Sequence, residues 1–260
     1  MTEDFFAYQA QTSPHPLALK IDRGQGSYLY DDQGKSYLDF VAGVSANTLG
    51  HQPERVKRAI SDQLDKYMHV MVYGEFIQSP QVDLCRFLAD KLPERLNCTY
   101  LTNSGTEATE GAIKLAKRLT GRAEIVAARN AYHGNTQGAM SVCGREEQNR
   151  AYRPLIPGSR FIRFNNEADL KVIDHNTAAV ILETIQGGAG FIRPEPGYLK
   201  KVSNRCEQVG ALLILDEIQS GKGLGGGMPI GAFISSKENM SVFTENPKLG
   251  HITTFGGHPV

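Results

Sequence analysis

Polar and apolar residues alternate near the start of the chain. Tyr28-Leu-Tyr-Asp-Asp-Gln-Gly-Lys-Ser-Tyr-Leu-Asp-Phe40 sets an aromatic run on either side of a polar turn carrying Gly34, a pattern that predicts a β-hairpin. The period then lengthens. Across residues 54–68, Val56, Ile60, Leu64 and Tyr67 recur at the spacing of one helix face. A second helix is predicted from Ser79, with Pro80 in its first turn and Val82, Cys85, Leu88 and Leu92 inward. Beyond Leu92 come five short apolar runs, at 98–101, 124–128, 160–164, 178–182 and 211–215, with turns and amphipathic stretches between them. The stretch from Gly197 to Gln208, with Val202, Cys206 and Val209 in register, reads as the crossover helix feeding the last run. Strands alternating with helices predict an α/β fold: βαβ units around a mostly parallel sheet, in a three-layer α/β/α core over residues 50–236. Residues 1–49 are expected to form a small N-terminal part with the hairpin, and residues 50–260 the large domain.

Charge narrows the function. Lysine plus arginine number 28, aspartate plus glutamate 28, and the net charge is zero. That balance argues against nucleic acid and anionic membranes as partners. No run approaches the roughly 20 apolar residues of a bilayer span. The start, Met1-Thr-Glu-Asp-Phe-Phe, lacks the basic-then-apolar pattern of a secretory signal, so a cytoplasmic protein is expected. The four cysteines, 85, 98, 143 and 206, form no C-x-x-C pair, and no metal site is expected. Many of the 27 glycines fall at Gly187–Gly190 and Gly221–Gly231, where backbone must approach something closely.

In open α/β sheets, ligands collect at the carboxyl ends of strands. After the first run stands Thr102-Asn-Ser-Gly-Thr-Glu107, opening a helix. Ser104, Gly105 and Thr106 there offer backbone amides and hydroxyls to an anion, or else a simple N-cap. After the second stands Asn130-Ala-Tyr-His-Gly134, whose Tyr132 and His133 suit either a flat ligand or ordinary packing. The fourth run ends in Glu183 beside the glycine loop. The fifth ends in Asp216-Glu-Ile-Gln-Ser-Gly221, and a carboxylate after five apolar residues needs a partner: a protonated ring nitrogen, or loop amides. Gly221–Gly226 formally matches G-x-G-x-x-G, but Pro229 and strand-like residues follow in place of the helix that a dinucleotide site requires. Lys222 among these glycines is better read as an amine that condenses with an aldehyde.

Together these motifs resemble the class III pyridoxal-phosphate aminotransferases of fold type I, the acetylornithine, ornithine and 4-aminobutyrate group. The likeness runs from Tyr28-Leu-Tyr-Asp31 and Leu49-Gly-His51 through Asn-Ser-Gly-Thr-Glu, Tyr-His-Gly, Glu-x-Ile-Gln-Gly, Leu-Asp-Glu-Ile-Gln-Ser-Gly and Lys-Gly-Leu-Gly-Gly-Gly to Thr254-Phe-Gly-Gly257. The resemblance implies that Lys222 carries the cofactor and moves a proton, that Asp216 pairs with the pyridine nitrogen and that Gln219 meets the phenolic oxygen. It places Ser104, Gly105 and Thr106 at the phosphate, Tyr132 on the ring with His133 supporting, and Glu183 beside the cofactor. Thr254 matches a residue reaching the neighbouring subunit's phosphate, implying a homodimer. The implied reaction moves an amino group from an amine or amino acid to a 2-oxo acid in a ping-pong cycle.

The chain also departs from the family pattern. Family members place a Phe-Gly-Arg-Thr-Gly loop, a helical segment and a further strand between the aspartate and the lysine; five residues stand between Asp216 and Lys222. Members continue past the position of Val260 into a C-terminal domain with an arginine for a substrate carboxylate, a domain expected to be absent here. Their Gln-Gly-Glu-Gly-Gly is Gln186-Gly-Gly-Ala-Gly190, and an arginine often found after His-Gly is Asn135. Both positions lie where related enzymes choose between substrates. Two readings follow: a transaminase, or a non-catalytic aminotransferase-fold fragment that at most binds phosphate or a partner subunit. A missing strand and domain should leave apolar surface exposed.

Overall fold

The computed structural model describes all 260 residues, Met1–Val260. They group into two units, Met1–Asp62 with Lys222–Met228, and Gln63–Gly221 with Pro229–Val260. This division and the sequence-based one after residue 49 differ over residues 50–62 and at the Lys222–Met228 segment.

The first unit contains α1 (Thr2–Tyr8), β1 (Ile21–Gln25), β2 (Tyr28–Asp31), β3 (Ser36–Leu38), α2 (Ala42–Ser45) and most of α3 (Glu54–Leu64). The expected hairpin is β2–β3, registered Tyr28↔Leu38 to Tyr30↔Ser36, and β1 extends it to three antiparallel strands. Asp31 fixes the turn, accepting from the amides of Gln33 and Lys35 and the hydroxyl of Tyr37. α2 is a single distorted turn in which Gly43 and Val44 are left-handed. α3 is shorter than the predicted 54–68, because the Gln63 carbonyl takes the amides of Lys66 and Tyr67 and closes the helix in a turn.

The second unit carries α4 (Ser79–Lys91), β4 (Cys98–Thr102), α5 (Gly105–Thr120), β5 (Glu124–Ala128), α6 (Gln137–Ser141), α7 (Glu146–Asn149), β6 (Ser159–Ile162), β7 (Thr177–Glu183), α8 (Tyr198–Val209), β8 (Leu212–Asp216), β9 (Gly231–Ser235) and α9 (Lys237–Met240). Four of the five predicted runs form a parallel sheet ordered β6-β5-β7-β8. Every residue of β7 is buried, as its unbroken apolar run requires for a strand covered on both faces. On one face Val126, Ile162, Val180 and Leu182 pack with Tyr198, Val202 and Cys206 of α8. On the other, Ile125, Ala127, Ala179 and Ile181 meet Ile113 and Ala116 of α5. This gives the expected three layers.

The first run breaks the expectation. β4 lies outside the parallel sheet and pairs antiparallel with β9 in a separate two-stranded sheet, Cys98↔Ser235 to Thr102↔Gly231. No strand forms between Asp216 and Gly231, so nothing bonds the free edge of β8 to that of β9. The Leu212–Leu215 stretch is only partly covered, and Leu215 is exposed. α5 holds the two sheets together, packing on β4 and β9 and also on β7 and β8. α4 is a second correction: Val82, expected inward, is exposed, and no residue of the helix is fully buried. Val82 and Cys85 border an open cavity of about 820 Å³ shared with Tyr100, Leu101 and Phe243, so the apolar face of α4 is incompletely packed. No helix is long and apolar enough to cross a membrane.

Candidate active site

The carboxyl ends of β4, β5, β7 and β8 bring most of the sequence-predicted residues of the second unit into linked clusters. Asp216 closes β8 and is buried. One of its oxygens, Oδ2, accepts from Nδ1 of His133 at 2.6 Å, and the other accepts from the Ile218 amide at 2.9 Å. Both side chains are nearly inaccessible, so each supplies the other's polar partner in a dry setting. The opposite ring nitrogen of His133, Nε2, is buried without a partner. Beneath the histidine, Cys143 accepts from the His133 amide at 3.0 Å and donates to the carbonyl of Ala139 at 3.3 Å. Burial pushes the Cys143 thiol up, which suits a packing role and not a nucleophile.

Glu183, at the end of β7, accepts from the amides of Tyr132 and Gly187, each at 3.2 Å. It thereby ties the tyrosine loop to the glycine loop. Burial pushes its carboxyl above the ordinary glutamate value of 4.5, against the pull of the two amides. The folded state holds this proton more tightly than the unfolded chain does. That contribution is complete below 4.5 and lost as pH rises through the raised folded value. Urea unfolding over a pH series is expected to show wild type losing stability relative to Glu183→Gln above 4.5. Parallel curves would remove Glu183 as the source.

The Tyr132 side chain is exposed, whereas its neighbour His133 is buried. Ser104 caps α5, its hydroxyl accepting from the Glu107 amide at 3.3 Å. The next two amides, of Gly105 and Thr106, find no acceptor within the protein. Thr106 and Thr136 share a hydroxyl hydrogen bond of 2.8 Å. Gly134, at φ +132, lets its loop press on Thr106: a Cβ there would lie 2.2 Å from the threonine oxygen. Ile218 closes on Gly105 in the same way, 2.6 Å from a Cβ position. Gln219 is half-buried, its side chain 3.2 Å from a Cβ position on Gly187.

Two predicted residues stand apart from these clusters or belong to the other unit. Thr254 is exposed in a turn and its side chain makes no hydrogen bond. Lys222 belongs to the first unit, where it opens a short 3₁₀ turn and its Nζ donates to the Val44 carbonyl at 2.7 Å. Sequence reasoning missed Glu110, which accepts from the Ala139 amide at 3.0 Å and the Thr136 hydroxyl and so anchors α6 to α5. It also missed Arg145, whose guanidinium lies 5.9 Å from the centre of the Tyr132 ring. The glycine at position 188 was the available signal for the arginine.

The family model of the class-III aminotransferases matches residues 8–224. The acetylornithine aminotransferase of Methanopyrus kandleri is 37% identical over 263 residues, covering 91% of this chain and 66% of that protein. Among solved structures, the ornithine aminotransferase of Toxoplasma gondii superposes with a TM-score of 0.87 at 30% identity, covering all of this chain and 68% of the other. The adenosylmethionine-8-amino-7-oxononanoate aminotransferase of Methanocaldococcus jannaschii gives 0.88 at 27%, covering 99% and 71%. The chain belongs to the class-III aminotransferases. It spans about two thirds of the length of these relatives.

Proposed function

We propose that the chain is the cofactor-binding part of a pyridoxal-phosphate-dependent transaminase, moving an amino group from an amine or amino acid to a 2-oxo acid in two half-reactions. The buried His133–Asp216 pair carries this reading. A carboxylate fixed by an imidazole on one oxygen and an amide on the other still has lone pairs for a protonated ring nitrogen. The residues suit the cofactor elsewhere too. The unpaired Gly105 and Thr106 amides, with the helix dipole of α5 and the Ser104 and Thr106 hydroxyls, form a cradle for a phosphate. The exposed ring of Tyr132 offers a stacking surface, and Gln219 and Glu183, which both meet Gly187, would flank the ring.

When bound, pyridoxal phosphate supplies an aldehyde for amines and a ring that takes up electron density. The protein's part is positional. Asp216 would pair with the ring nitrogen, and His133 orients Asp216 through the hydrogen bond between Nδ1 and Oδ2. Tyr132 would cover one face of the ring, and the role of moving the proton to and from the substrate carbon is given to Lys222 Nζ by the sequence resemblance. Thr254, which is exposed, would serve a second copy, a reading supported by the apolar residues Met68, Met71, Phe76 and Phe255 left exposed in its unit. The active form is a homodimer.

One observation favours the second reading, a fragment that binds phosphate or a partner without turnover: Lys222 Nζ is engaged by the Val44 carbonyl. Borohydride reduction of the chain mixed with pyridoxal phosphate, followed by peptide mass mapping, separates the two. A stoichiometric adduct confined to Lys222, and lost in Lys222→Ala, is expected. Adducts scattered over surface lysines, or none, would establish the fragment reading.

A further inference from the structure

Arg145 is a half-buried residue whose guanidinium has no charge partner. It forms no ion pair with any carboxylate, and its one hydrogen bond, from Nε to the Asn130 carbonyl, is stretched to 3.5 Å. The adjacent Glu146 is occupied by Arg153, at 2.9 and 2.7 Å. Partly desolvating an arginine in this way is unfavourable unless an anion completes its fork of donors.

Its placement says where that anion would come from. Nη2 lies 2.0 Å from the position of a Cβ on Gly188, and Cζ 3.0 Å from it. Any side chain at position 188 would displace the guanidinium. Glycine leaves that space open, and the arginine from the loop before α7 fills it. This sets a positive charge on the rim beside Tyr132.

We infer that Arg145 is a specificity-determining residue that takes a substrate carboxylate. It selects amino donors and 2-oxo acids that carry an anionic group at the end lying over this rim, and it disfavours donors with a cationic amine there. The planar guanidinium matches a carboxylate with two parallel hydrogen bonds. This inference rests on the transaminase reading for its meaning as substrate selection, while the charge preference itself is measurable without the cofactor.

The test is calorimetric titration of cofactor-free protein with succinate, with 1,4-diaminobutane and with inorganic phosphate. Wild type is expected to bind succinate and not the diamine. Arg145→Gln should weaken succinate at least about tenfold, the loss expected of a charge-assisted pair. Arg145→Lys, which keeps the charge but not the fork, should fall between them. Arg145→Gln with Gly188→Glu should reverse the preference toward the diamine. Phosphate, held at the α5 cradle, should bind alongside succinate without competing. Succinate affinity within twofold of wild type in Arg145→Gln would overturn the assignment, as would competition between succinate and phosphate. Borohydride labelling of Lys222, scored separately, distinguishes failure of this inference from failure of the transaminase reading.

Discussion

Replacing Asp216 by alanine is expected to lower retention of pyridoxal phosphate roughly 10- to 100-fold, the value of a hydrogen bond to a charged group. The same change leaves the buried His133 with neither ring nitrogen partnered, since Nε2 already has none. Stability should therefore fall by about 1–3 kcal/mol, the cost of an unsatisfied buried polar group. Asp216→Asn separates the two effects, keeping a group of the same shape beside His133 while removing the charge that a protonated ring requires. Asp169→Ala is the control. Asp169 pairs with the exposed Arg163 at 2.7 Å, and its loss should leave retention at the wild-type value. Equilibrium dialysis of the three variants, with urea unfolding of each, checks this. Equal retention in Asp216→Ala and Asp169→Ala would remove Asp216 from the site.

Gly111→Val is expected to have the largest effect on stability. The glycine sits in mid-helix on α5, a position where alanine would favour the helix by about 1 kcal/mol. Tertiary packing reverses that preference. A Cβ at 111 would lie 2.2, 2.6 and 2.8 Å from three ring atoms of Phe233. That ring is buried on β9 and stacked on Tyr100 at 5.1 Å, so it has little room to retreat. Overpacking of this kind costs about 3 kcal/mol. For a chain of this size that is a drop of roughly 6–12 °C in Tm. Thermal unfolding followed by circular dichroism measures it. Gly111→Val combined with Phe233→Leu should recover part of the loss, because the smaller side chain vacates the contested volume. A Tm within about 2 °C of wild type would mean that the helix moves freely against β9.

The parallel sheet was legible in the sequence because β5, β7 and β8 are apolar runs ending in chemistry, a signature clearest in β7, which is covered on both faces. His133, Glu183 and Asp216 were legible for the same reason: each follows such a run. The pairing of β4 was not, because an apolar run specifies burial and leaves its partner undetermined. Its antiparallel neighbour, β9, lies more than a hundred residues downstream. Val82 was misjudged because helical periodicity finds the apolar face without saying what covers it. Arg145 went unnoticed because an arginine in a polar loop carries no pattern. Only the glycine opposite it, seen in space, gives it a role.

The break between β8 and β9 bears on engineering. The edge of a sheet is a row of hydrogen-bonding groups waiting for a strand, and here two such rows belong to strands that one helix, α5, holds on a common support. An extended sequence grafted after Ser220, past the residues that hold Asp216, would interrupt no existing ladder. The shortened loop is therefore a natural port for insertion: a place where foreign sequence can be accommodated while the core of β5, β7 and α8 stays intact.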